Sequence, residues 1–526
     1  MSYGYTTKKV DLITKDLVTR DRDIIKFLLE ESMNCRRCKK LIDSNDMFCK
    51  HCGAAISIDT VSANTDMLIY EESAEEITIV GFNREKMVKG TAIIIPKHIN
   101  GKSVTKIGNM AFCNCCDIIS ITIPDSVREI ESAAFAGCCS LYHVVLPSNL
   151  KEISDSLFNR CVSLFRIEIP EKVEKIGNFA FAYCTALSYI YIPKLVSSIN
   201  GSAFSHCDSL TKICISLENN DFVIEDDIMY NKEKTVIIAC CKKADQFIIP
   251  ENVKVIGEFA FCSCDIEKIF LNHDIDEIGK CAFYDSKITS ISAKGRIEKI
   301  GERVFSHSKE LFDAFKLGSI EKISTGMFEN CGGMLQAILP KSVTHIGSES
   351  FQGCSQLDNI FIPNGVTEIG ARAFNSCVKL DQVDIPDSVT KVCEYAFSGC
   401  ISLRTAKFSK NITEITNGMF NNCSLLSTLI IPESVERIGD YSFSNCLSLE
   451  SVIIPDSVKE IGECAFKGCS GIKEIRIPKG INTIGRGAFD NCEPERIIVP
   501  KHLYGCFEAF YDPFYGSHEC ELKVYN

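Results

Sequence analysis

The chain of 526 residues is 45% hydrophobic and 24% charged, the balance of a soluble protein able to bury a core. Its net charge of −12 argues against the broad basic footprint of a nucleic-acid-binding protein. No run approaches ~18 uninterrupted apolar residues, so no membrane span is expected. Residues Met1 to Arg20 lack the apolar stretch of a secretory signal, which points to a cytoplasmic protein. The alternative is a cell-surface or secreted protein exported without a recognisable signal.

Residues 1–34 form the first segment. Within it Ile24, Ile25, Phe27, Leu28 and Leu29 fit the apolar pattern of a short helix. Residues 35–56 carry two Cys-x-x-Cys pairs, Cys35/Cys38 and Cys49/Cys52, ten residues apart. Each short turn points two thiolates at one ion, so the four cysteines suit one tetrahedral Zn²⁺. With four protein ligands the site is closed to water and therefore structural. These residues resemble a small zinc-ribbon knuckle. Residues 57–96 read as a linker and N-terminal cap strands, since Met67 to Val80 alternates like a strand.

From residue 97 to 503 the chain repeats. Phe112, Phe135, Phe158, Phe181 and Phe204 stand 23 apart. Phe261, Phe283 and Phe305 stand 22 apart, and the 23-residue step then returns from Phe328 to Phe489. Most copies carry a cysteine three residues after the phenylalanine, and many a proline in phase. One copy reads I-P-x-S-V-x-x-I-G-x-x-A-F-x-x-C-x-S-L-x-x-I-x. A segment such as Leu141 to Leu146 predicts a short strand with Val144 and Leu146 inward, ended by a proline that removes a backbone donor. Val127 and Ile130 turn the corner. Gly177, Gly347, Gly370 and Gly439 are expected to supply a positive φ there. No single copy can bury its apolar side, but stacked copies can. The expected fold is therefore a curved repeat solenoid of short parallel strands, sixteen turns at about 4.8 Å each, with a small N-terminal zinc ribbon.

The cysteines of the repeat are expected to be a ladder of buried thiols acting as small hydrophobes. Rungs about 4.8 Å apart are too wide for the ~3.8 Å Cβ separation of a disulfide. Two clusters, Cys113/Cys115/Cys116 and Cys240/Cys241, are the places to look for thiol chemistry. Phe204 and Phe261 stand 57 apart where 23 would serve. The extra segment, about 217–249, reads as a β-hairpin projecting from the coil, with its turn at Asn231 to Lys234. Residues 504–526 lose the repeat and read as the C-terminal cap.

The repeated motif resembles that of the BspA-like leucine-rich-repeat family, over about residues 90 to 510. The resemblance implies a leucine-rich-repeat-like solenoid that binds other macromolecules, often proteins of a host or neighbouring cell. An adhesive role stands as the alternative here, because no export signal is visible.

Each strand has one residue between two inward ones, and these outward residues form the expected partner face. The large apolar ones are Val145, Tyr191, Phe270, Phe315, Ile338, Phe361, Ile430 and Ile453. Contiguous exposed apolar area marks an interaction site. The leading expectation is a non-catalytic scaffold for a protein partner. A second is a nucleic-acid-linked regulator acting through the ribbon, disfavoured by the acidic balance. No phosphate loop, nucleophile elbow or paired carboxylates stand out, so no enzyme is expected.

Overall fold

The structure is a computed structural model that describes residues 33–34, 41–42, 60–62, 67–83, 91–316, 320–501 and 521–525. The described chain is a parallel β-solenoid of about eighteen turns. Each full coil has two strand edges and one corner. The first edge carries strands such as His143–Val145, Gln336–Ile338 and Ser451–Ile453. The second carries two-residue strands such as Glu152–Ile153 and Glu460–Ile461. Neighbours pair parallel and in register, Ile338 opposite Phe361 and Ile346 opposite Ile369. Coils of 22 residues differ at the second edge, where Ile275–Ile278 and Ile297–Ile300 run to four residues.

The corner holds the phenylalanine column. Rings from Phe112 to Phe204, and again from Phe261 to Phe489, stack on the next with centroids 5.0–6.2 Å apart. The backbone around each ring but Phe204 is left-handed two residues before and two after it, as at Arg372 and Ser376 around Phe374. The later position is often Asn or Gly, which tolerate that region best: Asn330, Gly353, Gly399, Asn422, Asn445 and Gly468. This curl turns the corner's N–H groups toward the next coil. Phe374 N–H donates to Ala396 O at 2.8 Å, and Phe397 N–H to Met419 O at 2.9 Å. The corner is thus hydrogen-bonded from coil to coil although it is not a strand.

The corner glycines serve a different purpose from the one expected. Gly177, Gly347, Gly370 and Gly439 have no positive φ. A Cβ on Gly370 would sit 2.4 Å from the Ser348 nitrogen, and one on Gly177 2.6 Å from the Asp155 nitrogen. They are glycines because the preceding coil's backbone occupies the space of a side chain.

The segment 217–249 is not a projection. Phe222–Glu225 pairs antiparallel with Ile228–Asn231, which pairs antiparallel with Val236–Cys240. The last of these joins the second edge, parallel to Val255–Ile256. Lys243–Ile248 joins the first edge, parallel to Asp265–Leu271. The described core falls into two clusters that meet in this segment. Ile228, Tyr230 and Ile237 belong to the C-terminal core, and Met229, Ile238 and Ala239 to the N-terminal one. A strand apolar on both faces cannot stand in solvent, so it is buried between two halves as a joint. The corner edge closes over it: Gly201 packs so tightly that a Cβ would meet the carbonyls of Ile238 and Glu258 at 2.6 Å.

At the N-terminal end Leu68–Glu72 and Glu76–Phe82 form an antiparallel pair that lies parallel against Lys102–Ile107. Phe82 extends the ring column, 5.4 Å from Phe112. At the other end Glu521–Tyr525 adds a parallel strand to Arg496–Pro500. Tyr525 donates its hydroxyl to Ile477 O at 2.8 Å, under the guanidinium of Arg476.

Candidate partner-binding face

The outward row of the first edge separates into unequal parts. Ile338 and Phe361 are 65% and 59% exposed and lie opposite each other in adjacent coils. Ile430 and Ile453 are 78% and 71% exposed and are likewise register partners. Val145 is exposed near the N-terminal end, while Tyr191 and Phe270 are half-buried. Phe315 lies in strand Asp313–Lys316, but its side chain is outside the described residues. The sheet thus gathers four of the eight predicted residues into two apolar pairs in the C-terminal half.

Between these pairs the row carries Asp384 and Lys407, bridged at 3.0 Å. The adjoining position repeats the arrangement with Asp381 and Arg404 at 3.1 Å. Charges that neutralise each other along the stack leave a strip with little net field. Beside it runs an exposed, uncharged row of Gln336, Asn359, Gln382, Thr405, Thr428 and Ser451.

Several exposed apolar residues escape the rule of one outward residue per strand, among them Phe312, Leu335 and Ile248. Phe312 and Leu335 precede their strands, seven residues after the core phenylalanine, and flank Ile338 and Phe361. The signal was present in that fixed offset. Ile248, opposite Phe270 in register, was hidden because the insertion interrupts the period.

The thiol ladder is inert by construction. Cys354 Sγ donates to Phe328 O at 3.0 Å and Cys377 Sγ to Phe351 O at 3.1 Å, and the bond recurs in the coils before and after. Ser308 fills the same slot with a 2.7 Å bond to Phe283 O. Burial pushes the Cys354 and Cys400 thiols up to about 12, so they stay protonated and non-nucleophilic. In the first cysteine cluster Cys116 donates to Gly137 O at 3.3 Å, and Cys115, three residues after Phe112, is buried. Cys240 stands 3.4 Å from Cys264.

Cys35, Cys38, Cys49 and Cys52 lie outside the described residues. Strands Met33–Asn34 and Leu41–Ile42, which bracket the first pair in sequence, pair antiparallel. Among the described residues no group of three or more His, Cys, Asp or Glu is placed to hold a metal ion. No helix among them is long and apolar enough to cross a membrane.

Among solved structures, a leucine-rich repeat protein from Bacteroides ovatus is 21% identical, over 88% of this chain and 99% of its own, with a TM-score of 0.37. A leucine rich cell surface protein from Faecalibacterium prausnitzii is 24% identical, over 81% and 94%, with a TM-score of 0.38. The pneumococcal vaccine antigen PcpA is 16% identical, over 89% and 100%, with a TM-score of 0.36. No curated protein sequence matches the chain. The family described as BspA type Leucine rich repeat region matches residues 105–235, 237–354, 321–450 and 436–514, the matches parting inside the joint. Since these matches span most of the sequence, the chain belongs to the BspA type leucine-rich repeat family.

Proposed function

We propose that this chain is a non-catalytic scaffold that binds a protein partner on the C-terminal half of its first sheet edge. The observation that carries the reading is the exposure of Ile338, Phe361, Ile430 and Ile453 as two register-matched pairs. A side chain that only satisfied strand propensity would leave no reason for pairs in adjacent coils. Two patches three coils apart, at about 4.8 Å per coil, place two anchors roughly 14 Å from each other on a rigid backing. Such anchors, rimmed by neutral polar groups, are the form of a protein-binding hot spot.

The test is capture of a partner from native lysate by the intact protein and by a folded variant with Ile338→Ser, Phe361→Ser, Ile430→Ser and Ile453→Ser. Loss of one discrete partner supports the reading, and its retention by the variant sinks it. Repeating the capture with extracellular and host-cell protein preparations separates an adhesive partner from an internal one. The ribbon is part of the same proposal, with Cys35, Cys38, Cys49 and Cys52 holding one structural Zn²⁺. The support is their spacing and the strand pair that brackets the first two.

A further inference from the structure

We propose that Cys240 and Cys264 are a redox-active pair whose closure to a disulfide staples the joint strand to the first coil beyond it. Their sulfurs stand 3.4 Å apart in a cleft of about 350 Å³ that opens where the phenylalanine column is interrupted. Cys207, Cys241 and Cys262 also line this cleft, so five thiols converge on it. Only Cys207 and Cys264 occupy ladder positions, three residues after Phe204 and Phe261.

Cys264 lacks the bond that fixes the other ladder cysteines from Cys138 onward. Elsewhere the rung thiol donates to the phenylalanine carbonyl of the coil before it, as Cys207 does to Phe181 O at 3.1 Å. The insertion displaces that coil here, and Cys264 Sγ faces the Lys242 carbonyl at 3.6 Å and the Cys240 sulfur instead. Lys243 is the register partner of Asp265, which sets Cys264 beside Lys242. Cys240 lies two residues before that point, so the two sulfurs meet on a diagonal, and closing the 3.4 Å gap to a bond of about 2.05 Å draws the two segments together. The other ladder thiols stack on their own kind, whereas buried Cys264 is approached from a different element by Cys240, which is partly exposed in the cleft.

The reaction is thiol–disulfide exchange with a small disulfide of the oxidised-glutathione type. The Cys240 thiolate attacks one sulfur, forming a mixed disulfide and releasing one small thiol. The Cys264 thiolate then attacks the Cys240 sulfur and releases the second. Two protein thiols lose two protons and two electrons, and the small disulfide is reduced to two thiols. Burial pushes the Cys240 thiol up as it does the ladder thiols, so its thiolate is scarce at neutral pH and the exchange is slow there, accelerating as pH rises. The strand ending at Cys240 belongs to both cores, through Ile237 on one side and Ile238 on the other. Tying its end to the coil of Cys264 joins it covalently to the C-terminal half, and the joint stiffens.

The full-length protein is equilibrated in reduced and oxidised glutathione, alkylated, digested and mapped by mass spectrometry. The expected result is a cross-linked peptide joining Cys240 to Cys264, retained in Cys241→Ser and lost in Cys240→Ser and Cys264→Ser. Amide exchange over residues 228–240 is expected to slow several-fold on oxidation. Absence of that peptide from oxidised, still-folded wild-type protein overturns the proposal without need of any variant. Loss of the cross-link in Cys241→Ser overturns the assignment of the pair. Formation of the disulfide with unchanged exchange overturns the stapling of the joint.

Discussion

The thiol of Cys377 donates a hydrogen bond to the carbonyl of Phe351, one coil earlier, at 3.1 Å. The same carbonyl also accepts from the Cys354 N–H at 3.1 Å, so both of its lone pairs are occupied. The cysteine is therefore kept as a small donor in a dry slot. Cys377→Ala removes the donor and leaves a small void, and is expected to cost about 1–2 kcal/mol. Cys377→Ser retains a donor of the kind Ser308 already supplies in this slot, and is expected to cost less. Urea unfolding midpoints of the two variants check the order.

Gly370→Ala should destabilise by about 1–3 kcal/mol, the usual cost of forced overpacking. Its Cβ would meet the backbone nitrogen of Ser348 at 2.4 Å, an atom that cannot swing aside. Gly332→Ala is the control. The nearest heavy atom to its added Cβ is Ser355 Oγ at 3.7 Å, and its φ is not positive. It should stay within about 0.5 kcal/mol of wild type by thermal or urea unfolding.

Phe397→Ala should be the most damaging change at the corner. The ring is fully buried and stacked at 5.2 Å on Phe374 and at 5.4 Å on Phe420. Truncating such a residue costs about 3–5 kcal/mol. Each coil is held by its neighbours, so the loss should spread first to the adjacent coils. Hydrogen exchange over residues 351–443 would report it.

Acidification should loosen the joint through His206. Burial lowers its pKa first, and Asp285 at 3.4 Å and Asp208 act the other way without cancelling it. Ser263 Oγ lies 3.0 Å from its Nδ1, the ring of Tyr183 stacks on it, and that of Tyr284 meets it in a T-shaped contact. A folded pKa below the unfolded value means the native state binds fewer protons. The contribution is therefore complete above the ordinary value of about 6.5 and is lost as pH falls through the folded value. Amide protection factors at Ser205 to His206 and Phe259 to Ser263, each referred to the intrinsic exchange rate at its own pH, should fall from pH 7 to pH 5 in wild type. The change should shrink in His206→Gln.

Elemental analysis of the purified full-length protein should find about one zinc per chain, the loading of a single Cys₄ site. Cys35→Ser together with Cys49→Ser should abolish it while leaving the solenoid's unfolding midpoint unchanged. Retained zinc in that double variant would sink the ribbon assignment.

Repetition determined most of the architecture. A phenylalanine every 23 residues, with a cysteine three later, can bury its ring only by stacking, so the coil, its parallel edges and the inert ladder were legible from spacing alone. The outward position followed from strand alternation, and with it the candidate face. Which outward residues are free to bind was decided only in three dimensions. Ile430 stands clear while Phe270 is half-buried, because exposure depends on neighbours a full coil away in sequence. The corner glycines were misread for the same reason. A local rule assigns glycine a backbone angle, but at Gly370 the constraint is the backbone of Ser348, 22 residues earlier. The joint could not be read from pattern either. Alternation predicts one buried face, and only the meeting of two cores explains a strand such as Ile228–Asn231 whose two faces are both apolar and both buried.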